Sequence, residues 1–308
     1  MIKTRFGKTN FDVSCLGFGS AEIGFLNTDR ERAARVLNLL LDEGVNVIDT
    51  SANYETSEEV IGQSIGHRRS QFVLISKCGG KIEGLESEAW SPRMISQTID
   101  RSLRRLKTDV LDVMLLHSCD EPILRKGESL GALVKARKEG KIRFAGYSGD
   151  NQEAAYAATL PEVAVIETSI SIADQSNINL VLPITRKNDI GVLAKRSIAN
   201  AAWKKSEDQP GFYGGYAQPY ADRLEKMALN PAQFGFTNAP EFAWPELALR
   251  FTLGQPGVNS AIIGTTSPDN VMRNIEFAKK GPMPDEMVQK IRGVFKVAQG
   301  GQSWPGLR

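Results

Sequence analysis

Four polar side chains in the first half of the sequence are of the types that together reduce a carbonyl group. They are Asp49, Tyr54, Lys77 and His117, and three of them directly end short apolar runs. When hydride adds to a carbonyl carbon, the oxygen gains alkoxide character and needs a proton donor. Tyrosine is such a donor, with a free pKa of about 10, and a well-placed general acid typically accelerates a reaction by about 10²–10⁴-fold. We therefore predict that Tyr54 is the proton donor.

The other three side chains would have separate supporting roles. A neighbouring ammonium stabilises a phenolate, so Lys77 would lower the pKa of Tyr54. Asp49 would keep Lys77 charged and in place, and His117 would donate to the carbonyl oxygen or orient it. Taken singly, each has an ordinary structural explanation, such as a helix cap, a solvent-facing lysine or a packed core histidine. The prediction therefore depends on a fold that brings all four together.

Short apolar runs alternate with amphipathic helical patterns along nearly the whole sequence. Several runs are apolar without interruption, as in strands that are buried on both faces. The eight candidate strands are Cys15–Gly19, Asn46–Ser51, Phe72–Cys78, Val110–Ser118, Ile142–Gly149, Val163–Ile170, Gly191–Ser197 and Ser260–Thr266. This alternation predicts an α/β protein with a closed (β/α)8 TIM barrel. In that fold the C-terminal ends of the strands share one face, where the four candidates would converge.

Other segments flank the predicted barrel strands. Short extended stretches around Gly7-Lys8-Thr9-Asn10 predict an N-terminal β-hairpin that covers the N-terminal end of the barrel. Helices are predicted from Pro245 to about Gly254 before the last strand, and over Pro268–Ala278 and Pro284–Ala298 after it. The stretch Ala199–Ala239 is rich in Gly, Pro and aromatic residues, so we expect an irregular lid or binding loop there.

The composition is that of an ordinary globular protein, and we expect residues 1–308 to form one domain. A net charge of +2 favours neither a nucleic-acid partner nor an anionic membrane surface. No apolar run approaches the roughly 18 residues of a membrane span, and the N-terminus lacks the apolar core of a secretory signal. Three cysteines without CxxC spacing indicate no disulfide framework and no metal site. We therefore expect a cytoplasmic protein, and the sequence leaves its oligomeric state open.

The segments that carry the candidate chemistry resemble the aldo-keto reductase superfamily. Asp49-Thr50-Ser51-Ala52-Asn53-Tyr54, the strand-end Lys77 and Leu115-Leu116-His117 are similar to the catalytic tetrad of that family. Leu16–Ser20 and Ile262–Pro268 are also similar to family segments, so the resemblance covers nearly the whole chain. It implies an NAD(P)H-dependent oxidoreductase that reduces an aldehyde or ketone to the alcohol. The cofactor would lie extended across the strand ends, which agrees with the lack of a GxGxxG motif in the sequence.

The resemblance also implies which residues bind the cofactor and the substrate. Gly264–Thr266 would cradle phosphate together with the start of the next helix, while Asn274 would contact adenine. Ser148 would bind the nicotinamide amide, and Trp90 would form a wall of the substrate pocket beside the catalytic tyrosine and histidine. The residues implied for the cofactor are Gly19, Ser20, Asp49, Ser148, Glu167, Lys195, Arg196, Gly264, Thr265, Thr266, Asn270 and Asn274.

The chain departs from the pattern of the family at four places, the first of which is Gly149, where many members have an asparagine after the serine. Glu167 stands where glutamine is usual, and Lys195-Arg196 stands where an aromatic ring usually stacks on the nicotinamide. The arginine could stack as a planar guanidinium, or Trp203 could supply a ring. Asn270 stands where an arginine often binds the 2′-phosphate of NADP, with Arg273 three residues later. NADP(H) is therefore the favoured cofactor, and NAD(H) is a possible one.

Two other functions stay open at this point. A strand-end lysine, Lys77 or Lys195, could form a Schiff base as in barrel lyases, and borohydride would then trap a substrate adduct. Alternatively, the protein could be a regulatory sensor that binds nucleotide on a reductase scaffold, with tight cofactor binding and slow turnover. The complete set of four catalytic side chains favours the reductase, because a sensor has no need of Tyr54.

Overall fold

The computed structural model describes residues 1–26, 28–211 and 213–307, and it begins with an antiparallel hairpin. Strands β1 (Lys3–Arg5) and β2 (Asp12–Ser14) pair along their whole lengths, and a 3₁₀ turn lies between them. Phe6 follows β1, is fully buried and packs against side chains of the barrel interior such as Val113 and Leu193. At Gly191 a Cβ would lie 2.5 Å from Phe6 Cδ2, so only glycine permits this approach. The predicted hairpin is confirmed at the N-terminal end of the barrel.

Eight parallel strands close into a barrel, which confirms the predicted (β/α)8 fold. Successive strands pair in chain order, and the last pairs with the first, as at Ala261↔Leu16. The barrel strands are β3 (Leu16–Gly19), β4 (Val47–Asp49), β5 (Val73–Cys78), β6 (Leu111–His117), β7 (Ile142–Ser148), β8 (Val163–Ser169), β9 (Gly191–Lys195) and β10 (Ser260–Ile263). Strand β10 ends at Ile263 rather than at Thr266, which leaves Gly264–Thr266 in the loop that follows it.

Helices surround the barrel between the strands. They are α1 (Ala21–Phe25), α2 (Arg30–Asp42), α3 (Ser57–Ile65), α4 (Pro92–Leu106), α5 (Glu121–Lys126), α6 (Glu128–Lys138), α7 (Asn151–Ala157), α8 (Ser176–Leu180), α9 (Leu182–Lys187), α10 (Tyr213–Met227), α11 (Pro240–Leu253), α12 (Pro268–Lys279) and α13 (Asp285–Gln299). In α2 the Asp29 side chain accepts from Arg32 N and caps the first turn, while Val36 and Leu40 are buried at helical spacing. Helices α12 and α13 confirm the two helices predicted after the last strand. Over the described ranges, no helix has the length and apolarity needed to span a membrane.

Helix α11 begins at Pro240, so the predicted start at Pro245 was wrong. Proline lacks an N–H, and at Pro245 this would leave the carbonyl of Glu241 without its helical partner. Arg273 on α12 donates to that carbonyl over 3.4 Å and replaces the missing donor. A proline is therefore tolerated inside the helix because a residue of the next helix compensates for it.

The segment from Ala199 to Ala239 is more regular than predicted. It contains helix α10 and short 3₁₀ turns, so the expectation of a wholly irregular loop was wrong. Pro219 lies inside α10 and weakens its local helix signal. The helix is held by tertiary contacts instead, since Tyr220 OH donates to Asp174 Oδ2 over 2.8 Å and Arg223 Nη1 donates to the carbonyl of Ala173.

Candidate active site

A cavity of about 700 Å³ opens at the C-terminal ends of the barrel strands, a volume typical of ligand pockets. Loops after β3, β9 and β10 and residues of α11 and α12 form its walls. The predicted site residues that line it are Gly19, Asp49, Tyr54, His117, Ser148, Glu167, Lys195, Arg196, Gly264, Thr265, Thr266, Asn270 and Asn274. The fold therefore brings most of the predicted site into one cavity.

Three predicted residues are not among those that line the cavity. Lys77 is fully buried, and Ser20 donates through its hydroxyl to the carbonyl of Asp49 over 2.7 Å. Trp90 packs its ring against Gly79, where a Cβ would lie 2.1 Å from the ring. The Trp90 carbonyl also accepts a hydrogen bond from Ser129 Oγ, on α6. The structure therefore places Trp90 against the end of β5 rather than in the wall of this cavity.

One buried ammonium lies between two buried carboxylates. Lys77 Nζ is 2.6 Å from both carboxylate oxygens of Asp49, 3.0 Å from the carbonyl of Thr50 and 3.2 Å from Glu167 Oε2. Strands β4, β5 and β8 supply these side chains, so the barrel itself holds the cluster together. Burial opposes the charge of Lys77, yet Asp49 and Glu167 raise its pKa above the ordinary value. Lys77 is therefore a fixed cation.

Tyr54 lies beside this cation. Lys77 Nζ is 5.3 Å from the centroid of the Tyr54 ring. The centroids of the Tyr54 and His117 rings are 6.0 Å apart. Burial raises the pKa of Tyr54 to about 12, although Lys77 acts to lower it and Asp49 and Glu167 partly offset that effect. Lys77 therefore acts on the tyrosine pKa in the predicted direction, but burial and the two carboxylates outweigh its effect. Tyr54 consequently carries its proton at neutral pH.

His117 is a neutral imidazole in this environment. Burial lowers its pKa to about 3, and the charges of Lys77 and Lys195 contribute in the same direction. Its Nδ1 lies 3.2 Å from Ser51 Oγ, which also accepts a hydrogen bond from Asn53 N. Sequence reasoning assigned no role to Ser51, although its position between Asp49 and Tyr54 was the available signal.

The loop after β10 lies close to the loop after β3. A Cβ at Gly264 would be 2.9 Å from the carbonyl of Gly19 and 3.3 Å from the Glu22 carboxylate, so glycine is needed there. Thr265 Oγ1 accepts hydrogen bonds from Ser267 N over 3.1 Å and from Asn270 Nδ2 over 3.4 Å. The Asn270 side chain is thus turned back onto the loop. Sequence reasoning missed Glu22, whose pKa is raised by burial to about 7 against the effect of Lys204.

Three side-chain atoms of cavity-lining residues make no hydrogen bond in the described part of the chain, namely Ser148 Oγ, Glu167 Oε2 and Asn200 Nδ2. Ser148 and Glu167 are buried, and Glu167 Oε2 keeps its ion-pair contact with Lys77 at 3.2 Å. Ser148 and Glu167 are register partners on β7 and β8, so their side chains belong to neighbouring positions in the cavity wall. A hydroxyl and a carboxylate in this arrangement fit an amide, which offers one acceptor and two donors.

Two cations at the end of β9, Lys195 and Arg196, contact other groups of the protein. Lys195 Nζ lies 3.2 Å from Asp150 Oδ2, and Arg196 donates to Ser169 Oγ, to the carbonyl of Leu307 and to the Tyr216 hydroxyl. The Arg196 guanidinium also lies 4.9 Å from the Tyr216 ring centroid. Trp203 lines the cavity as well and stacks on Trp244, with ring centroids 5.4 Å apart. Lys195 and Arg196 are therefore fixed groups of the cavity wall, not a solvated pair.

Comparison with known proteins identifies similar sequences over nearly the whole chain. The model of the aldo/keto reductase family matches residues 15–296. An uncharacterized oxidoreductase of Bacillus subtilis is 26% identical, over 96% of this chain and 97% of that protein. The NADH-specific methylglyoxal reductase of Escherichia coli is 27% identical, over 89% of this chain and 93% of that protein.

Solved structures of bacterial aldo-keto reductases have the same fold. The holo form of an aldo-keto reductase from Bacillus halodurans superposes with a TM-score of 0.78 at 25% identity, covering 96% of both chains. An aldo/keto reductase from Klebsiella pneumoniae, in complex with NADP and acetate, superposes with a TM-score of 0.71 at 26% identity, covering 95% of both chains. The likeness to these structures therefore covers nearly the whole chain.

Proposed function

The chain belongs to the aldo/keto reductase family of oxidoreductases, and we propose that it reduces an aldehyde or ketone to the alcohol with NAD(P)H. The observation that carries the proposal is the position of the Lys77 ammonium. It lies 2.6 Å from both Asp49 oxygens and 5.3 Å from the centroid of the Tyr54 ring. A protonated phenol with a fixed cation beside it, in a cavity at the strand ends, can give its proton to a nascent alkoxide.

In this mechanism the residues of the chain move one proton and stabilise one charge. When bound, the nicotinamide supplies a hydride to the carbonyl carbon. Tyr54 donates its proton to the carbonyl oxygen, and the phenolate that remains is stabilised by Lys77. Asp49 holds Lys77 in position, since both of its carboxylate oxygens contact the ammonium. The charge on Lys77 is in place before the reaction begins, so little reorganisation is needed.

His117 would act as a neutral hydrogen-bond donor to the same oxygen. Ser51 Oγ already accepts from Asn53 N, so its own proton is available to His117 Nδ1. Nε2 then carries the imidazole proton and can donate it as a hydrogen bond to the carbonyl oxygen. The Ser51 contact is consistent with this tautomer, which would let His117 orient the substrate without competing with Tyr54 for proton transfer.

The cavity has groups suited to each part of the dinucleotide. Ser148 and Glu167 fit the nicotinamide amide, and the loop Gly264–Thr266 with the start of α12 would hold phosphate. Arg273 lines the cavity near Asn270 and would supply the positive charge that the asparagine lacks. We favour NADP(H), which the similar Klebsiella structure binds, over NAD(H), which the Escherichia coli relative uses.

The surroundings of Lys77 and Lys195 argue against the alternative that the protein is a lyase that forms a Schiff base with its substrate. A Schiff base needs a neutral amine that can reach the substrate. Lys77 is fully buried, ion-paired and not among the residues that line the cavity. Lys195 does line it but contacts the Asp150 carboxylate at 3.2 Å. The sensor remains the second candidate function, because the same cavity would bind a nucleotide without turnover.

The experiment that tests the proposal is Tyr54→Phe. We expect NADPH affinity to be retained while the reduction rate falls by about 10²-fold or more, because only the donated proton is removed. Affinity is measured by fluorescence titration, and rates by loss of NADPH absorbance with a panel of aldehydes. Tyr156→Phe, on α7 and away from the cavity lining, is the matched control and should react like the wild type. Equal rates in Tyr54→Phe and the wild type contradict the assignment, and cofactor binding without turnover in the wild type supports the sensor.

A further inference from the structure

The cluster around Lys77 holds an extra carboxylate. Asp49 already contacts the ammonium with both of its oxygens at 2.6 Å, and Glu167 Oε2 adds a second carboxylate at 3.2 Å. Lys77 is fully buried, and both carboxylate residues are 2% exposed, so water screens these charges poorly. At the same end of the barrel, the single carboxylate of Asp150 faces two cations, Lys195 at 3.2 Å and Arg196 at 4.0 Å. The Lys77 cluster is therefore richer in negative charge than its neighbour.

Glu167 belongs both to this cluster and to the wall of the cavity. It lines the cavity beside Ser148, and its Oε2 makes no hydrogen bond within the described ranges even though it lies close to Lys77. A glutamine at this position could make the same contact with an amide, but it would bring no charge. The distinguishing property of Glu167 is therefore the charge that it places in the wall of a largely buried site.

We infer that Glu167 makes this cavity select the oxidised, cationic form of the nicotinamide over the reduced, neutral form. The inference rests on the proposed function. Hydride transfer moves two electrons and a hydrogen nucleus to the carbonyl carbon, so the nicotinamide ring gains one positive charge while Tyr54 loses its proton. A fixed carboxylate stabilises that new charge, and burial makes its effect larger than it would be in water.

Selection of the oxidised cofactor would favour one direction of the reaction, the reduction of the carbonyl. Stabilising the oxidised cofactor shifts the equilibrium on the enzyme towards the alcohol, and it slows release of the oxidised cofactor. Glu167 thereby acts as a specificity residue for the redox state of the cofactor, in addition to contacting Lys77. A unit charge within about 10 Å, at an effective dielectric constant of about 20, changes a binding ratio by roughly tenfold or more.

The test compares dissociation constants for NADP⁺ and NADPH in the wild type, Glu167→Gln and Glu58→Gln, measured by calorimetry and fluorescence. In Glu167→Gln we expect the ratio of the NADP⁺ constant to the NADPH constant to rise by roughly tenfold. Glu58 is also a buried carboxylate, but it accepts from Ser76 Oγ at 2.8 Å and is not among the cavity-lining residues. Glu58→Gln should therefore leave the ratio unchanged. An unchanged ratio in Glu167→Gln overturns the inference.

Two further variants keep the test decisive. Glu167→Asp retains the charge and should keep the wild-type ratio to within about threefold, whereas loss of selectivity there would point to shape rather than charge and overturn the inference. If Glu167→Gln fails to fold, Glu167→Ser is measured with the same expectation. A wild type that binds neither nucleotide contradicts the proposed function itself. If the wild type binds both NADP⁺ and NADPH, and the ratio of their dissociation constants is the same with and without a charge at position 167, only the inference is contradicted.

Discussion

The protonation state of His117 decides what this residue can do for a carbonyl oxygen. Burial and the nearby Lys77 and Lys195 lower its pKa from 6.5 to about 3, so the folded protein keeps the ring neutral through the physiological range. The unfolded chain takes up that proton near pH 6.5, whereas the folded chain does so near pH 3. The contribution of His117 to the free energy of unfolding is therefore complete above pH 6.5 and is lost as the pH falls towards 3.

We predict that His117 shows no titration between pH 8 and 5 when its ring signals are followed by NMR. The chain has two histidines, so His67→Gln leaves a single histidine to observe. Reduction rates should likewise show no inflection near pH 6.5 that His117→Gln abolishes. A ring that titrates with a midpoint near 6.5 contradicts both the burial of His117 and its role as a neutral donor.

For single residues, the sequence predicted which side chains belong to the candidate site more successfully than it predicted the contacts that those side chains make. Asp49, Lys77 and Glu167 were all named from strand-end positions and family resemblance, and the fold brings them into one cluster. The sequence alone did not reveal that burial outweighs Lys77 in setting the pKa of Tyr54, because the desolvation of Tyr54 depends on the assembled barrel. The packing of the Trp90 ring against Gly79 could not be predicted for a similar reason, since it depends on the folded chain.

Helices α3 and α4 pack closely enough to require a glycine between them. A Cβ at Gly62 on α3 would lie 2.3 Å from the carbonyl of Arg105 on α4. These two helices follow β4 and β5, whose ends carry Asp49 and Lys77. Close packing of α3 on α4 thus supports the strands that position the ion cluster.

We predict that Gly62→Ala lowers the free energy of unfolding by about 1–3 kcal/mol, because backbone atoms must move to admit the methyl group. Gly66→Ala is the matched control, since its nearest contact would be 3.8 Å away and its backbone is helical. That variant should change stability by less than about 0.5 kcal/mol. Urea unfolding of both variants measures the difference, and equal stabilities would show that the α3–α4 contact is more adaptable than the geometry indicates.

Elements with a strong local signal were predicted, and those that depend on distant partners were not. The uninterrupted apolar runs identified the barrel strands, because a strand buried on both faces needs them. The start of α11 was misjudged because Pro245 is tolerated only through Arg273, which comes much later in the sequence. Helix α10 was missed because Pro219 weakens it locally and contacts such as Tyr220 with Asp174 restore it.

Across the whole molecule, both ends of the described chain are bound to the barrel. Phe6 packs inside the N-terminal end, and Trp304 is buried with its ring centroid 5.0 Å from that of Phe295. Gly306 N donates to Asn151 Oδ1 over 2.7 Å, and the carbonyl of Leu307 accepts from Arg196 at the cavity. We propose on these grounds that residues 1–308 form one domain that unfolds cooperatively.

We predict that deleting the chain from Trp304 onward lowers the free energy of unfolding by about 3 kcal/mol or more, because a buried tryptophan is lost. Cofactor affinity should fall as well, since Arg196 loses its contact with Leu307. Val297→Ala, at a position that is 81% exposed, is the control and should leave both quantities unchanged. Thermal unfolding and NADPH titration provide the measurements, and wild-type values for the truncated chain would contradict the structural role of this segment.

The hairpin that covers one end of the barrel has a further consequence for the proposed reaction. Phe6 is packed inside that end, and Tyr54 lines the cavity at the other end. A substrate that fills the cavity therefore isolates the tyrosine with a single proton to give. Once that proton has moved, water can restore it only after the alcohol departs. Reprotonation of Tyr54 and release of the alcohol would then be coupled, so that each catalytic cycle could transfer only one proton from the tyrosine.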